Sequence, residues 1–337
     1  MTVTTLTKSG NYSMATIYDV ATLAGVSPAT VSRVFNGTSV TPAKANAVRE
    51  AAKELRFTPS RTARTLRKQN SEVIALVIPD IENPFFTSLA RGVEDRALEA
   101  GYSVVLCNSD EDVAKELRYL EIANSENMAG VVLAPASDHS DLRVLLDRGR
   151  PVVAVDRSSP QPIDGVKLDN RAAGVDATQA LIDAGHRKIA LITGPAGIET
   201  ADDRALGWQE TIDSVGGDSS DQYLLRSTFR VDGGRSAMQQ LLALPEPPDA
   251  VVAANNLIGV GALQVLMEAG LAPPGFGVSV IGDLPFATLA PSAINRVHLP
   301  ARHLGVTAAA MLIDRINGDV QPPRTVVLRN TLERASL

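Results

Sequence analysis

The chain has 337 residues, a formal net charge of −6, 45% hydrophobic residues and only 4% aromatic residues. At ~100–200 residues per domain this length fits two or three domains, and no apolar run approaches the ~20 residues of a membrane span. A single cysteine, Cys107, excludes an intrachain disulfide and a Cys-based zinc site, and the polar first 13 residues lack the apolar stretch of a signal peptide, so the cytoplasm is the expected compartment.

The charge is unevenly placed. Residues 1–70 hold ten Lys and Arg against three Asp and Glu, a surplus of +7, and the remainder carries −13. A basic module on an acidic body is the layout of a chain in which one part meets phosphates and the other avoids them. A basic surface without a partner fits the charge equally well.

In chain order, residues 1–13 read as a disordered tail of Thr, Ser, Gly and Asn without periodicity. Residues 14–58 read as three short helices. Thr16 caps the first, with Ile17, Val20, Ala21 and Ala24 at helical spacing, and Gly25 breaks it. Ser27 caps a second that starts with Pro28, turns Val31 and Val34 inward and ends at Asn36-Gly37. Thr41-Pro42 repeats the cap-and-proline start for a third, which ends near Arg56. Residues 59–70 follow as a linker, where Ser60–Leu66 has almost no apolar face and is unstable as an isolated helix.

From Glu72 the pattern changes. Apolar runs at Val73–Ile78, Ser103–Cys107, Gly130–Ala134, Pro151–Val155, Lys188–Thr193, Ala250–Ala254 and Val278–Ile281 alternate with amphipathic helices. Short continuous apolar strands between helices imply α/β architecture, with parallel sheets covered on both faces. Ligands of such sheets lie beyond the carboxyl ends of the strands. Those ends carry Asn83-Pro84-Phe85-Phe86, Asn108-Ser109-Asp110, Asp156-Arg157, Gly194-Pro195 with Asp203-Arg204 beyond, Asn255-Asn256 and Gly282-Asp283. Amides, carboxylates, forked Arg donors and ring faces at one edge suit a polyhydroxylated ligand. Taken singly, each Asn or Asp there is also an ordinary turn or cap residue.

The stretch ATIYDVATLAGVSPATVSRVFNG (15–37) resembles the helix-turn-helix of the lactose-repressor/galactose-repressor (LacI/GalR) family of bacterial transcription regulators. The likeness continues through RFTPSRTARTLR (56–67), VIPDIENPFF, GHRKIALITGP and DRALGW, and covers about residues 15–335. The resemblance implies an all-α helix-turn-helix DNA-binding domain plus a periplasmic-binding-protein-like core of two doubly wound α/β subdomains. Their expected extents are 71–169 with 300–322, and 170–299 with 323–337. It implies a nucleoid-associated homodimeric repressor that reads a near-palindromic operator and is switched by a sugar or sugar derivative bound between the subdomains.

By position, the resemblance sends the second helix into the major groove. Pro28, Ala29, Ser32 and Arg33 then face the bases, with Arg33 the bidentate guanine contact and Ala29 against a thymine methyl. Thr16, Tyr18, Ser27, Thr30 and Asn36 hold phosphates. The linker becomes a hinge helix that orders on DNA, with Leu66 wedged into a minor-groove base step and Ala63 beside it. In the body, Asp156 and Arg204 match sugar-hydroxyl positions, and Asn83, Phe85 and Phe86 match a sugar-stacking loop. Phe229 matches an aromatic that closes the cleft, Asn255 a polar ligand position, Leu168 the hinge wall, and Asp283 a ligand carboxylate.

Two departures stand out. The family commonly has Asn-Asp where this chain has Asn255-Asn256, and the loop from Gly282-Asp283-Leu284-Pro285 is about two residues short of the family pattern. Family members use either sign, inducer release or corepressor capture. No heptad helix follows Leu332, so a dimer is expected rather than a tetramer built that way. An enzyme on this fold would need a signature that is missing: Gly259-Val-Gly261 lacks a third glycine, no Gly-x-Ser-x-Gly or His-Glu-x-x-His occurs, and the four His are scattered. No catalytic residue, metal or cofactor is expected. A periplasmic sugar receptor would need the signal peptide.

Overall fold

A computed structural model describes residues 15–35, 39–57, 71–284 and 293–336. The chain divides into two compact units, residues 1–69 and 70–337. The expected tail (1–13), Asn36 and the hinge helix with Ala63 and Leu66 lie outside the described residues.

The first unit holds α1 (Ile17–Leu23), α2 (Pro28–Phe35) and α3 (Pro42–Glu54). Thr16 and Asp19 form a capping box at α1: the Asp19 carboxylate accepts from the Thr16 N–H at 2.7 Å while the Thr16 side chain accepts from the Asp19 N–H. Gly25, at φ 63, makes the left-handed turn that ends α1. Ser27 Oγ then accepts from the Thr30 N–H at 3.2 Å to start α2. Thr41 departs from expectation. It sits at the N-cap of α3 but makes no side-chain cap, and Pro42, which has no N–H to satisfy, opens that helix alone. Val20, Val31 and Val48 are fully buried at the centre, and Phe35 and Phe57 close the end with ring centroids 5.9 Å apart.

The second unit contains two six-stranded sheets. The first comprises β1 (Val73–Ile78), β2 (Ser103–Asn108), β3 (Val131–Leu133), β4 (Val152–Val155), β5 (Asp164–Leu168) and β11 (Thr325–Leu328), in the order β11-β5-β4-β3-β1-β2. All its pairings are parallel. The second comprises β6 (Ile189–Thr193), β7 (Leu224–Arg226), β8 (Ala250–Ala253), β9 (Gly277–Ile281), β10 (Asn295–His298) and β12 (Thr331–Glu333), in the order β12-β10-β9-β8-β6-β7. Here only β12 runs antiparallel.

Helices α4 (Pro84–Glu99), α5 (Val113–Ser125), α6 (Arg143–Leu146) and α11 (Ala301–Ile316) belong with the first sheet. Helices α7 (Asn170–Asp183), α8 (Glu199–Ser214), α9 (Val231–Leu242) and α10 (Asn256–Glu268) belong with the second. The chain therefore passes between sheets after β5, after β10 and between β11 and β12. The last crossing corrects the expected boundary at 322/323. Asp164 at the start of β5 receives Arg315 of α11 at 2.7 and 3.0 Å and the Arg324 N–H at 2.8 Å. This clamp delivers Thr325–Leu328 alongside β5, so the chain leaves only at Arg329-Asn330.

Three helix pairs meet through reciprocal glycines: Gly92 with Gly305, Gly174 with Gly207, and Gly234 with Gly261. A Cβ on Gly174 would lie 2.3 Å from the Arg204 carbonyl oxygen, and one on Gly207 2.2 Å from that of Arg171. The absent side chains let α7 and α8 approach closely enough to seat Arg204 at the cleft. Gly174→Ala is expected to push α8 away and cost about 1–3 kcal/mol. The check is a lower urea midpoint at unchanged m-value, together with weaker ligand binding through the displaced Arg204.

Candidate DNA-reading helix and effector cleft

In the first unit, Ala29 and Arg33 are exposed one helical turn apart on α2, with Ser32 part-exposed beside Arg33. The Arg33 guanidinium makes no hydrogen bond or ion pair among the described residues, so its five donors face outward. Tyr18 is 68% exposed. Thr16, Ser27 and Thr30 carry local duties beside the expected phosphate contacts. The Thr16 hydroxyl donates to Asp19 at 2.7 Å, and the Ser27 and Thr30 hydroxyls bond each other at 3.0 Å. Pro28 opens α2 half-buried.

In the second unit, the carboxyl ends of strands from both sheets surround a cleft of about 530 Å³. Eight of the nine expected ligand residues line it: Asn83, Phe85, Phe86, Asp156, Arg204, Phe229, Asn255 and Asp283. The ninth, Leu168, does not. It ends β5 with its side chain fully buried in the core, because the first crossing between sheets is sealed against water there.

Each lining residue is placed by local structure. Asn83 caps α4 by accepting from the Phe85 N–H at 3.0 Å, which fixes the loop carrying two rings packed edge-on at 5.1 Å. Phe229 lies over Gly194, where a Cβ would meet its ring at 2.1 Å. Asn255 is less available than expected. Its carbonyl caps α10 through the Ile258 N–H at 2.7 Å and its amide donates to the Phe229 carbonyl at 3.0 Å, so both ends are occupied in holding the wall. Asp283 faces His298 at 2.9 Å, and both line the cleft.

Asp156 is the centre of the site. It stands in the left-handed region at φ 69, is only 4% exposed, and its carboxylate accepts no hydrogen bond among the described residues. Burial raises its pKa, against the opposing charges of Arg157 and Arg204. Arg204 is fully enclosed, and burial lowers its pKa to about 10, so it is cationic at neutral pH. Its fork is held by Asn170 Oδ1 at 3.0 and 2.7 Å and by the Ala254 carbonyl at 2.6 Å. A buried carboxylate with unused acceptors beside two guanidinium groups, in a cleft also lined by three phenylalanines, is built for a ligand that donates hydroxyl hydrogens.

The described residues hold no cluster of His, Cys, Asp and Glu suited to a metal, and none of their helices is long and apolar enough to cross a membrane.

The family model described as "Bacterial regulatory proteins, lacI family" matches residues 16–60, and "Periplasmic binding proteins and sugar binding domain of LacI family" matches residues 71–333. The ribose operon repressor of Escherichia coli K12 is 37% identical over 96% of this chain and all of its own length. The chain belongs to the LacI family. The transcriptional repressor PurR of Pectobacterium carotovorum is 33% identical over 96% of this chain and 97% of its own. A solved complex of the regulator CelR with cellobiose is 33% identical, with a TM-score of 0.70 over 95% of this chain and 98% of its own. As a LacI-family member this protein is a DNA-binding, effector-responsive transcriptional regulator and not an enzyme.

Two charged residues of the cleft, Arg157 and Glu111, carry no sequence motif of their own. Arg157 stood at a strand end with no role assigned, and Glu111, which grips it, stood one residue beyond another. Lys167 of β5 meets Glu199 at the start of α8 at 2.8 Å, and Ser158 bonds the same carboxylate at 2.9 Å, tying the two sheet layers together beside the cleft. Nothing in a linear pattern pairs positions this far apart.

Proposed function

We propose that the protein is a homodimeric repressor that reads a near-palindromic operator through α2 and is switched by a monosaccharide, ribose or a pentose of similar hydroxyl pattern, in the cleft. It acts in the cytoplasm, at the nucleoid. The observation that carries the sugar assignment is the Asp156 carboxylate, buried with its acceptors unused beside Arg157 and Arg204, in a cleft also lined by Phe85, Phe86 and Phe229. A sugar donates paired hydroxyls to the carboxylate, accepts from the guanidinium groups and lays its C–H faces on the rings. The full-length match to a ribose operon repressor supports the choice among sugars. Dimerisation is supported by the edge strand β2 and its flanking helices, which expose Leu98, Val105, Leu106, Val113, Leu117 and Ile122.

The effector alters the angle between the two layers and so the affinity of the DNA-reading units for the operator. Isothermal titration of ribose, a hexose, a disaccharide and a purine tests the assignment. Saturable binding of ribose in preference to the others supports it, and tighter binding of the disaccharide or the purine overturns it.

The pH dependence follows from Asp156. Its pKa is raised in the free protein, and hydroxyl groups donating to the carboxylate favour the charged form in the complex. Ribose affinity is therefore full above the raised free-state pKa and falls as pH drops through it, by about tenfold per pH unit. The fall begins above the ~3.9 of an ordinary aspartate. Titrations at descending pH check this, with proton release on binding inside the falling range.

A further inference from the structure

The cleft is rich in arginine, yet each arginine at it already faces an acidic group. Arg302 pairs with Asp95 at 2.5 Å, Arg230 stands 3.8 Å from Asp110 and 3.9 Å from Glu82, and Arg204 feels the charge of Asp156. The most complete pairing is that of Arg157. Both of its terminal nitrogens donate to Glu111, at 2.6 Å each, and one also donates to the Pro135 carbonyl at 3.0 Å. Arg157 is 6% exposed, and its Nε is buried without a hydrogen-bond partner. Glu111 itself lines the cleft and remains 36% exposed at its side chain.

The backbone is bent to make this contact. Asp110 and Glu111 are consecutive left-handed residues, at φ 55 and φ 60. Aspartate tolerates that region, but glutamate has no short side chain to satisfy its own backbone there. The turn is held by Asn108, which donates to Asp110 at 2.8 Å, and by Lys115, which donates to it at 2.5 Å. Strain of this kind persists where surrounding structure enforces it, and it is concentrated at ligand clamps. Here the bend delivers a carboxylate to a guanidinium fork that would otherwise meet a phosphate or carboxylate in the same bidentate geometry.

We infer that Glu111 is a specificity-determining residue: its carboxylate fills the anion-binding fork of Arg157 and restricts the cleft to uncharged polyhydroxylated effectors, excluding their phosphate esters. Glu111 acts in two ways. It removes the bidentate site that an anion needs, and its own negative charge stands where the anion would bind. A neutral sugar loses nothing by this, because a hydroxyl can still accept from the remaining donors of Arg157 and donate to Asp156. This inference rests on the sugar assignment proposed above and narrows it.

The test uses the full chain and two independent probes. Inorganic phosphate, against chloride at matched ionic strength, probes the fork without any sugar. Thermal unfolding of the wild type is expected to show no phosphate-specific shift. Glu111→Gln keeps the size and removes the charge, and is expected to gain a saturable shift of about 3 °C. That shift disappears in Glu111→Gln combined with Arg157→Gln, and does not arise in Glu111→Asp, which restores the charge. No phosphate-specific shift in Glu111→Gln, or a shift that survives loss of Arg157, overturns the inference whether or not ribose binds.

The second probe compares ribose with ribose 5-phosphate on the wild type and on Glu111→Gln. The wild type is expected to prefer the neutral sugar at least about 100-fold, and the isosteric variant to narrow that ratio about tenfold or more, which steric exclusion alone would leave unmoved. A wild type that binds the ester as tightly as the sugar contradicts the inference even if Glu111→Gln fails to fold. Failure of ribose to bind, with the phosphate results as expected, removes the sugar assignment and leaves the exclusion of anions standing.

Discussion

Arg33→Ala is expected to lower operator affinity by about 10- to 100-fold per half-site, the ~1–3 kcal/mol of a lost bidentate base contact. In a dimer the loss counts twice. The expectation rests on an exposed guanidinium without a partner among the described residues, one turn from Ala29 on a helix whose inner face is anchored by the fully buried Val31. Two further signs separate a base reader from a phosphate anchor. Binding to unrelated DNA should be nearly unchanged, and the slope of log affinity against log salt should stay close to that of the wild type. A uniform loss on all sequences, with a slope reduced by about one, would make Arg33 a backbone contact instead. The α2 fold is not at risk, since Arg33 contributes nothing to the core around Val20, Val31 and Val48.

Asp156→Asn is expected to abolish sugar binding while leaving the empty protein as stable as the wild type or more so. The two effects have one cause. Burial raises the pKa of Asp156, so its charged form at neutral pH is less favourable in the fold than in the unfolded chain. A group with a raised folded pKa adds stability below its unfolded pKa and loses it as pH rises through the folded value, so at neutral pH the charge is a burden. Asparagine removes that burden, yet cannot accept two charge-assisted hydrogen bonds from sugar hydroxyls. At about 1.5–3 kcal/mol for each such bond, the loss of binding is about 100-fold or greater. Thermal unfolding and calorimetry on the same sample check both halves. A variant that unfolds earlier and binds normally would make Asp156 a structural residue.

Much of the fold was legible because it is written in local pattern. The runs at Val73–Ile78 and Lys188–Thr193 mark β1 and β6, both interior strands paired in parallel on either side. Five strands carried no such run, and of these β7, β11 and β12 are edge strands of three or four residues with none fully buried. β5 and β10 alternate buried with part-exposed residues, Asp164–Leu168 and Asn295–His298, and so lack an apolar run. β2 was read as a covered strand, but it lies at the sheet edge with Val105 and Leu106 open to solvent. The three reciprocal glycine contacts were invisible because a helical glycine carries no sign of what approaches it.

The site was legible where a residue sits in the loop after a strand: Asp156 directly follows β4, and Asn83 caps the helix that follows β1. Leu168, expected from the resemblance alone, fails because it is the last residue of β5 itself and still packs in the core. The Glu111–Arg157 pair was not legible, since 46 residues separate its members and only the sheet order β3-β1-β2 beside β4 brings the two strand ends together. The net charge of −6 gave no hint of DNA until it was divided along the chain.

The most direct test of a sugar-switched operator reader is fluorescence anisotropy of a labelled operator, titrated with the full chain in the absence and presence of saturating ribose. Operator affinity should change at least about tenfold on adding ribose, a coupling of at least about 1.4 kcal/mol. The change should vanish in Asp156→Asn, whose ribose-free affinity matches the wild type. An operator affinity indifferent to ribose, in a protein that calorimetry shows to be saturated with it, would contradict the coupling.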